Sequence, residues 1–143
     1  GMPAVADPGS SVVRAAHELG IRVVPLVGPV SLLLALAASG LNGQNFAFVG
    51  YLPQDSAART QRLRELENLA AKHRQTQLFI ETPYRNQALW DALVNGLQGN
   101  TRLARASGLT MASMQVHCKT VQAWRSAGKA QISGEPTVFL IGK

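Results

Sequence analysis

The stretch from Val23 to Leu41 is the richest apolar part of the 143-residue chain, and it limits what the chain can fold into. A membrane-spanning helix needs about 20 consecutive apolar residues, but Pro25, Gly28 and Pro29 interrupt this run. The run therefore predicts a strand, a turn and then a helix that begins near Pro29 and ends before Gly40. Because the segment SLLLALAAS is apolar nearly all round, that helix should be buried between layers.

Apolar runs alternate with helical patterns along the whole chain, which is typical of an α/β domain. The pattern predicts a mixed β-sheet flanked by helices. The predicted strands are 21–26, 45–49, 77–81, 102–107, 114–120 and 137–141, and the predicted helices are 10–19, 29–39, 56–73, 82–97 and 121–127. Trp90 and Trp124 fall within helical patterns and are expected to be core anchors rather than surfaces on which nucleic-acid bases stack.

Charge and cysteine content narrow the class of protein. Fourteen Lys and Arg against eight Asp and Glu give a formal charge of +6, which favours anionic partners such as RNA. A basic surface that serves only solubility explains this excess equally well. The single cysteine, Cys118, has no partner for an internal disulfide, and the start of the chain shows no secretory signal, so we expect a cytoplasmic protein without a membrane anchor.

Five turns rich in Gly and Pro are the places where a ligand would bind. In open α/β sheets, ligands sit beyond the carboxyl ends of strands. Any one such turn more often only connects two secondary-structure elements than contacts a ligand. No Cys or His spacing indicates a metal site, so no metal is expected. The five turns are 1–9, 27–31, 50–53, 81–85 and 107–110.

Taken together and in order, the segments GMPAVADPG, VVPLVGPVSLLLALAASGL, FVGYLP, FIETPYR and GEPTVFLIGK resemble the successive motifs of the tetrapyrrole methylase superfamily. They are most similar to the ribosomal RNA small-subunit methyltransferase I branch, whose stretches look like SDAGTPxxSDPG, PLPGPSALLAALxxSGL, EGFLP and FYESPHR. The resemblance covers essentially the whole chain.

The resemblance implies two α/β domains with S-adenosylmethionine bound in the cleft between them. Residues 1–26 would then be the final helix and strand of the N-terminal domain, and residues 27–143 the C-terminal domain. Most of the N-terminal domain would lie upstream of Gly1. The resemblance also implies a homodimer, and a missing half predicts exposed apolar surface on the first helix and on residues 21–26.

Motif positions also imply site residues. Those placed against the cofactor are Gly1, Met2, Val5, Val30, Ser31, Glu81, Leu109 and Thr137. Those that would face the substrate are Tyr51, Thr82, Tyr84 and Arg85. Asp7 is the candidate catalytic base, with a turn cap before Pro8 as the alternative. Arg85 suits a phosphate or carboxylate, with an ordinary surface arginine as its alternative.

Three functions remain open. The first is methylation of a ribose 2′-hydroxyl in ribosomal RNA by the full-length form. The second is methylation of a tetrapyrrole or another small molecule, because Ser107 and Gly108 replace an Arg-Glu pair of the branch's ARELTK stretch. The third is a truncated, non-catalytic fragment.

Overall fold

The computed structural model describes residues 1–143 and contains five α-helices, five strands and one short 3₁₀-helix. None of its helices combines the length and apolar character needed to span a membrane. The elements in chain order are α1 (Ser10–Glu18), α2 (Ser31–Ser39), β1 (Phe46–Tyr51), α3 (Ser56–His73), β2 (Thr76–Ile80), the 3₁₀-helix (Pro83–Arg85), α4 (Asn86–Gly96), β3 (Arg102–Ser107), β4 (Gln115–Thr120), α5 (Val121–Ser126) and β5 (Thr137–Gly142).

The five strands form one mixed sheet in the order β1-β2-β5-β3-β4. β1 and β2 are parallel, whereas β5 runs antiparallel to both β2 and β3, and β4 runs antiparallel to β3. The α/β class and the mixed sheet predicted from the sequence are confirmed. This order places the last strand at the centre, where all six of its residues are buried.

Each face of the sheet packs against its own helices. α2 covers one face, where Ala35 and Leu36 meet Leu78 and Leu140 in a buried cluster. Helices α3, α4 and α5 cover the other face. The buried cluster on this face contains Phe79, Phe139 and Ile141 of the sheet and Leu66, Leu93 and Val121 of the helices. The alternation of side chains along a strand explains this division, since successive residues point to opposite faces.

The predicted role of Trp90 and Trp124 as core anchors is confirmed. Both are buried, their rings meet edge to face at 4.9 Å between centroids, and Trp124 Nε1 donates to the carbonyl oxygen of Leu103 at 2.8 Å. A buried indole that finds a hydrogen-bond partner adds packing area without an unsatisfied donor.

Local signals set most helix ends where the sequence predicts them. The carboxylate of Asp55 accepts from the N–H of Ala58 at 2.8 Å and opens α3. Gly40 adopts the left-handed conformation, with φ of 73°, and closes α2. Arg74 takes the same conformation at the end of α3, with φ of 52°.

The predicted strand at 21–26 is wrong. These residues have no regular secondary structure and pair with none of the five strands. A β-strand exists only where a neighbouring strand takes up its N–H and C=O groups, so β-propensity without a partner gives an extended segment instead.

The first 27 residues carry the exposed apolar surface that the sequence predicts. Helix α1 buries none of its residues. Val12 is 72% exposed and Leu26 is 78% exposed. The other large apolar residues exposed here are Val5, Val13, Leu19, Ile21, Val23, Val24 and Val27.

Candidate functional site

Four of the five predicted turns meet at one edge of the sheet. β1, β2 and β3 all end at this edge, and β5 begins there, because β5 is antiparallel to β2 and β3. Helix α2 starts beside the same edge. The strand directions therefore bring together segments that lie far apart in the chain, as expected for a ligand site in an open α/β sheet.

A pocket of about 340 Å³ opens between these segments. Its lining combines apolar side chains with hydroxyl and carboxylate groups, which is the usual character of a small-molecule site. The lining residues are Ser31, Tyr51, Ile80, Glu81, Thr82, Pro83, Gly108, Leu109, Met111, Pro136, Thr137 and Val138.

Half of these twelve residues are sites implied by the motifs, namely Ser31, Tyr51, Glu81, Thr82, Leu109 and Thr137. Val30 lies in the adjacent core, where its side chain is 8% exposed. Tyr84 and Arg85 belong to the 3₁₀-helix that follows the lining residue Pro83. The pocket therefore brings six of the predicted site residues together.

The start of α2 gives the pocket a set of backbone donors. Val30 precedes the helix in an extended conformation, and no side chain caps the first turn. The first N–H groups of a helix have no acceptor within it, and the helix dipole adds partial positive charge there. Because Ser31 lines the pocket, this end of α2 suits a carboxylate or another anionic group.

Glu81 organises the opposite wall. Its Oε1 accepts from the N–H of Thr82 at 2.7 Å and from Arg85 Nε at 3.1 Å, and its side chain is only 7% exposed. Thr82 Oγ1 also donates to this oxygen at 3.3 Å. No side chain caps the 3₁₀-helix that follows, because the Thr82 hydroxyl is turned to Glu81.

Two loops that are distant in sequence close the third side of the pocket. The N–H of Gly108 donates to the carbonyl oxygen of Pro136 at 3.3 Å, and Ser113 Oγ donates to Glu135 Oε1 at 2.7 Å. The hydroxyls of Ser107 and Thr137 are 2.9 Å apart and hydrogen-bonded. These contacts hold the loop after β3 against the segment before β5.

Motif matching missed several lining residues. Gly108 lies in a predicted turn, and a glycine in such a turn is the sequence signal that could have identified it as a lining residue. Pro136 precedes a predicted strand within the closing GEPTV segment. Met111 carries no such signal, because only the fold of the loop after β3 brings it to the pocket.

The loop at the start of the chain stands apart from this pocket. The N–H of Ala4 donates to the carbonyl oxygen of Pro8 at 3.1 Å, which closes residues 4–8 into a compact turn. Met2 packs against the core beside α2, whereas Gly1, Val5 and Asp7 are exposed. None of these four residues lines the pocket. Their predicted roles in cofactor binding, and of Asp7 in catalysis, stay predictions.

No protein-family model matches the chain. The chain is similar in sequence to proteins named ribosomal RNA small subunit methyltransferase I. That of Pseudomonas aeruginosa is 34% identical over 99% of this chain and 50% of its own length, and that of Haemophilus influenzae is 35% identical over 100% and 50%. That of Vibrio cholerae is 37% identical over 77% of this chain and 37% of its own length. The chain thus spans half or less of these curated relatives.

Solved structures share the fold at low sequence identity. The methyltransferase CobJ superposes with a TM-score of 0.59 at 19% identity, covering 100% of this chain and 62% of its own. The uroporphyrin-III C-methyl transferase of Thermus thermophilus, crystallised with S-adenosylhomocysteine, superposes with a TM-score of 0.57 at 18% identity, covering 100% and 63%.

The five ordered motifs, the sequence identity over nearly the whole chain and the shared fold agree with one another. The chain belongs to the family of the proteins named ribosomal RNA small subunit methyltransferase I, and it shares the fold of these two solved methyltransferases.

Proposed function

We propose that the pocket at the sheet edge binds S-adenosylmethionine, and that the full-length protein is a methyltransferase. One observation carries this proposal. Six residues that match the family's cofactor and substrate positions come from five separate segments, and they line a single pocket. The structure with S-adenosylhomocysteine among the solved neighbours supports the choice of ligand.

The lining residues fit the parts of such a ligand. The uncapped start of α2 and the Ser31 hydroxyl offer donors for the methionine carboxylate. Leu109, Met111 and Val138 supply apolar surface for a flat base. S-adenosylmethionine supplies the methyl group on its sulfonium, so the protein's task is to hold donor and acceptor in line.

Ribosomal RNA is the proposed methyl acceptor, at a ribose 2′-hydroxyl. The names of the relatives support this choice, and so does the charge of +6, since an excess of cations favours a polyanion. Asp7 is proposed as the base that assists removal of the hydroxyl proton. Tyr51, Thr82, Tyr84 and Arg85 are proposed to face the substrate.

A tetrapyrrole or another small molecule is the second candidate acceptor, and position 108 favours it. The branch has a charged pair where this chain has Ser107 and Gly108. A β-carbon at Gly108 would lie 2.6 Å from Glu135 Oε2, so a glutamate side chain there would require the Glu135 carboxylate to move. The pocket mouth has therefore lost a feature of the RNA-modifying branch.

We further propose that residues 27–143 form the C-terminal domain and that residues 1–26 end a preceding domain. The two buried clusters include no residue before Val30, and only Met2 packs against them from the first segment. The exposed apolar residues of α1 support contact with a preceding domain or with the second subunit of a homodimer. The cytoplasm is the proposed location, because ribosomal RNA is found there.

Calorimetry with S-adenosylmethionine tests the cofactor proposal on this chain. Leu109→Trp would fill the pocket and should weaken binding by about tenfold or more, which corresponds to about 1.4 kcal/mol. Leu69→Trp is the matched control, because Leu69 is 37% exposed on α3 and lies outside the pocket. Equal affinities for both variants would place the ligand elsewhere, and absence of binding would favour the fragment alternative.

A methylation assay separates the two acceptors. The full-length enzyme should transfer methyl groups to small ribosomal subunits rather than to tetrapyrroles, and the reverse preference would support the second candidate. An Asp7→Asn variant with normal turnover would remove Asp7 from the role of base.

A further inference from the structure

Arg105 is a half-buried cation on β3 that has no acidic partner. The two ion pairs of the structure are Arg62–Glu65 and Arg85–Glu81, and neither involves Arg105. Its guanidinium makes no hydrogen bond to another protein group either. A charge removed from water without a counter-ion is costly, so an arginine of this kind needs an explanation.

Two tryptophans hold this cation in place. The central carbon of the guanidinium lies 5.2 Å from the Trp90 ring centroid and 5.4 Å from that of Trp124. An aromatic face attracts a cation without neutralising it. Burial lowers the pKa of Arg105, which shows the desolvation, yet a guanidinium stays protonated at neutral pH. The charge of Arg105 is therefore fixed in position and still available to an anion.

The surroundings of Arg105 form a second pocket, of about 360 Å³. Its polar lining residues are Ser107, Gln115, Gln131 and Ser133. None of its residues lines the cofactor pocket, but the two sites are neighbours, because Ser107 of one is hydrogen-bonded to Thr137 of the other.

The strand beside Arg105 adds more positive charge. On β4, His117 pairs with Arg105 across the sheet, and Lys119 pairs with Leu103 two residues along the same face. The ammonium of Lys119 lies 4.8 Å from the Trp124 ring centroid. Because β4 is the edge strand and both His117 and Lys119 are exposed, a long polyanion can reach all three groups.

We propose that Arg105 and Lys119 form a binding site for the phosphodiester backbone of RNA, beside the cofactor pocket. RNA bound there would pass next to the Ser107–Thr137 contact and so reach the pocket where the methyl group is held. The choice of RNA as the polyanion rests on the proposed function. The site itself rests on the unpaired guanidinium, its two tryptophans and the polar pocket.

Fluorescence anisotropy with a short, labelled single-stranded RNA tests the site on this chain. Arg105→Gln and Lys119→Gln should each weaken binding by about fivefold to tenfold at low salt, since each removes a phosphate contact. Arg64→Gln is the matched control. It removes the same charge from an exposed α3 position that makes no ion pair or hydrogen bond, and it should change affinity less than about twofold.

Salt dependence gives an independent readout. Each lost phosphate contact on a single strand lowers the slope of log affinity against log salt by about 0.7, so both site variants should show a smaller slope than the control. Arg105→Gln binding within twofold of Arg64→Gln would overturn the proposal, and so would an unmodified chain that does not bind RNA. If Arg105→Gln fails to fold by circular dichroism, the exposed Lys119→Gln variant decides.

Calorimetry with S-adenosylmethionine on the same variants keeps the two proposals apart. Loss of RNA affinity with unchanged cofactor affinity supports the RNA site. A chain that does not bind the cofactor but binds RNA through Arg105 would refute the cofactor proposal and leave the RNA site standing.

Discussion

The Glu81 carboxylate and the Arg85 guanidinium form an ion pair, although the sequence motifs place Glu81 against the cofactor and Arg85 toward the substrate. Glu81 Oε1 lies 3.1 Å from Nε and 3.0 Å from Nη2 of Arg85, which is four residues further along the chain. The pair is partly buried, with 30% of the arginine side chain and 7% of the glutamate side chain exposed. Glu81 thereby fixes the orientation of the Arg85 guanidinium, for which contact with the substrate is proposed above.

Removing the Glu81 carboxylate should cost more than breaking an exposed ion pair. Glu81→Ala leaves Arg85 and the N–H of Thr82 without their acceptor, so the free energy of unfolding should fall by about 1–3 kcal/mol. Glu65→Ala is the control, because it breaks the exposed Arg62 pair, which should contribute under about 1 kcal/mol. Urea unfolding measures both, and equal losses would contradict the structural role of Glu81.

A side chain at Gly108 should destabilise the fold. Its φ of 60° is strained for other residues, and a β-carbon would displace Glu135 from its hydrogen bond with Ser113. Gly108→Ala should therefore lower the free energy of unfolding by about 1–3 kcal/mol.

Gly96→Ala is the control for that substitution. Gly96 lies at the end of α4 with open space around its α-carbon, so alanine should leave stability unchanged or raise it by about 0.5–1 kcal/mol. Thermal and urea unfolding check both variants. A Gly108→Ala protein as stable as Gly96→Ala would show that the loop after β3 adapts freely.

Cys118 should make stability fall at high pH. Burial raises the pKa of its thiol, and the nearby Arg102 guanidinium opposes this only in part. Because the folded-state pKa is the higher one, the contribution of the thiol is fully present below the unfolded value of about 8.5 and is lost as pH rises through the folded value.

The difference between the chain and a Cys118→Ala variant isolates this effect, because lysines and tyrosines also titrate at high pH. The difference between the unfolding free energies of the two proteins, measured between about pH 7 and pH 10, should become smaller as pH rises. A constant difference would mean that the thiol has the same pKa in the folded and unfolded chain.

The exposed apolar residues before Gly28 should make the chain associate. Leu19 is 74% exposed and Leu26 is 78% exposed, and neither has a packing partner in the buried clusters. The double variant Leu19→Ser/Leu26→Ser should therefore reduce the mass measured by light scattering at high protein concentration. Leu69→Ser, on α3, is the control. A monomeric unmodified chain would contradict the prediction.

Local sequence signals were sufficient for most elements. The span of α3 is found as predicted, because Asp55 caps its start and its apolar residues recur at helical spacing. The predicted helix before Gly40 and the strands around Leu78, Ala104 and Leu140 are also confirmed, with boundaries at most two residues from the predicted ones. Turn residues and periodicity act within a few residues, so they can be read directly.

By itself, the sequence determined the family, the α/β class and the turns from which the pocket is built, because motif order and local propensity are properties of the chain. Only the tertiary structure decided that β5 lies at the centre of the sheet, which joins Ser107 to Thr137. It also decided that residues 21–26 form no strand and that Arg105 lies over Trp90 and Trp124. Pairing between distant segments depends on which partner each strand and side chain finds, and local propensity carries no information about that choice.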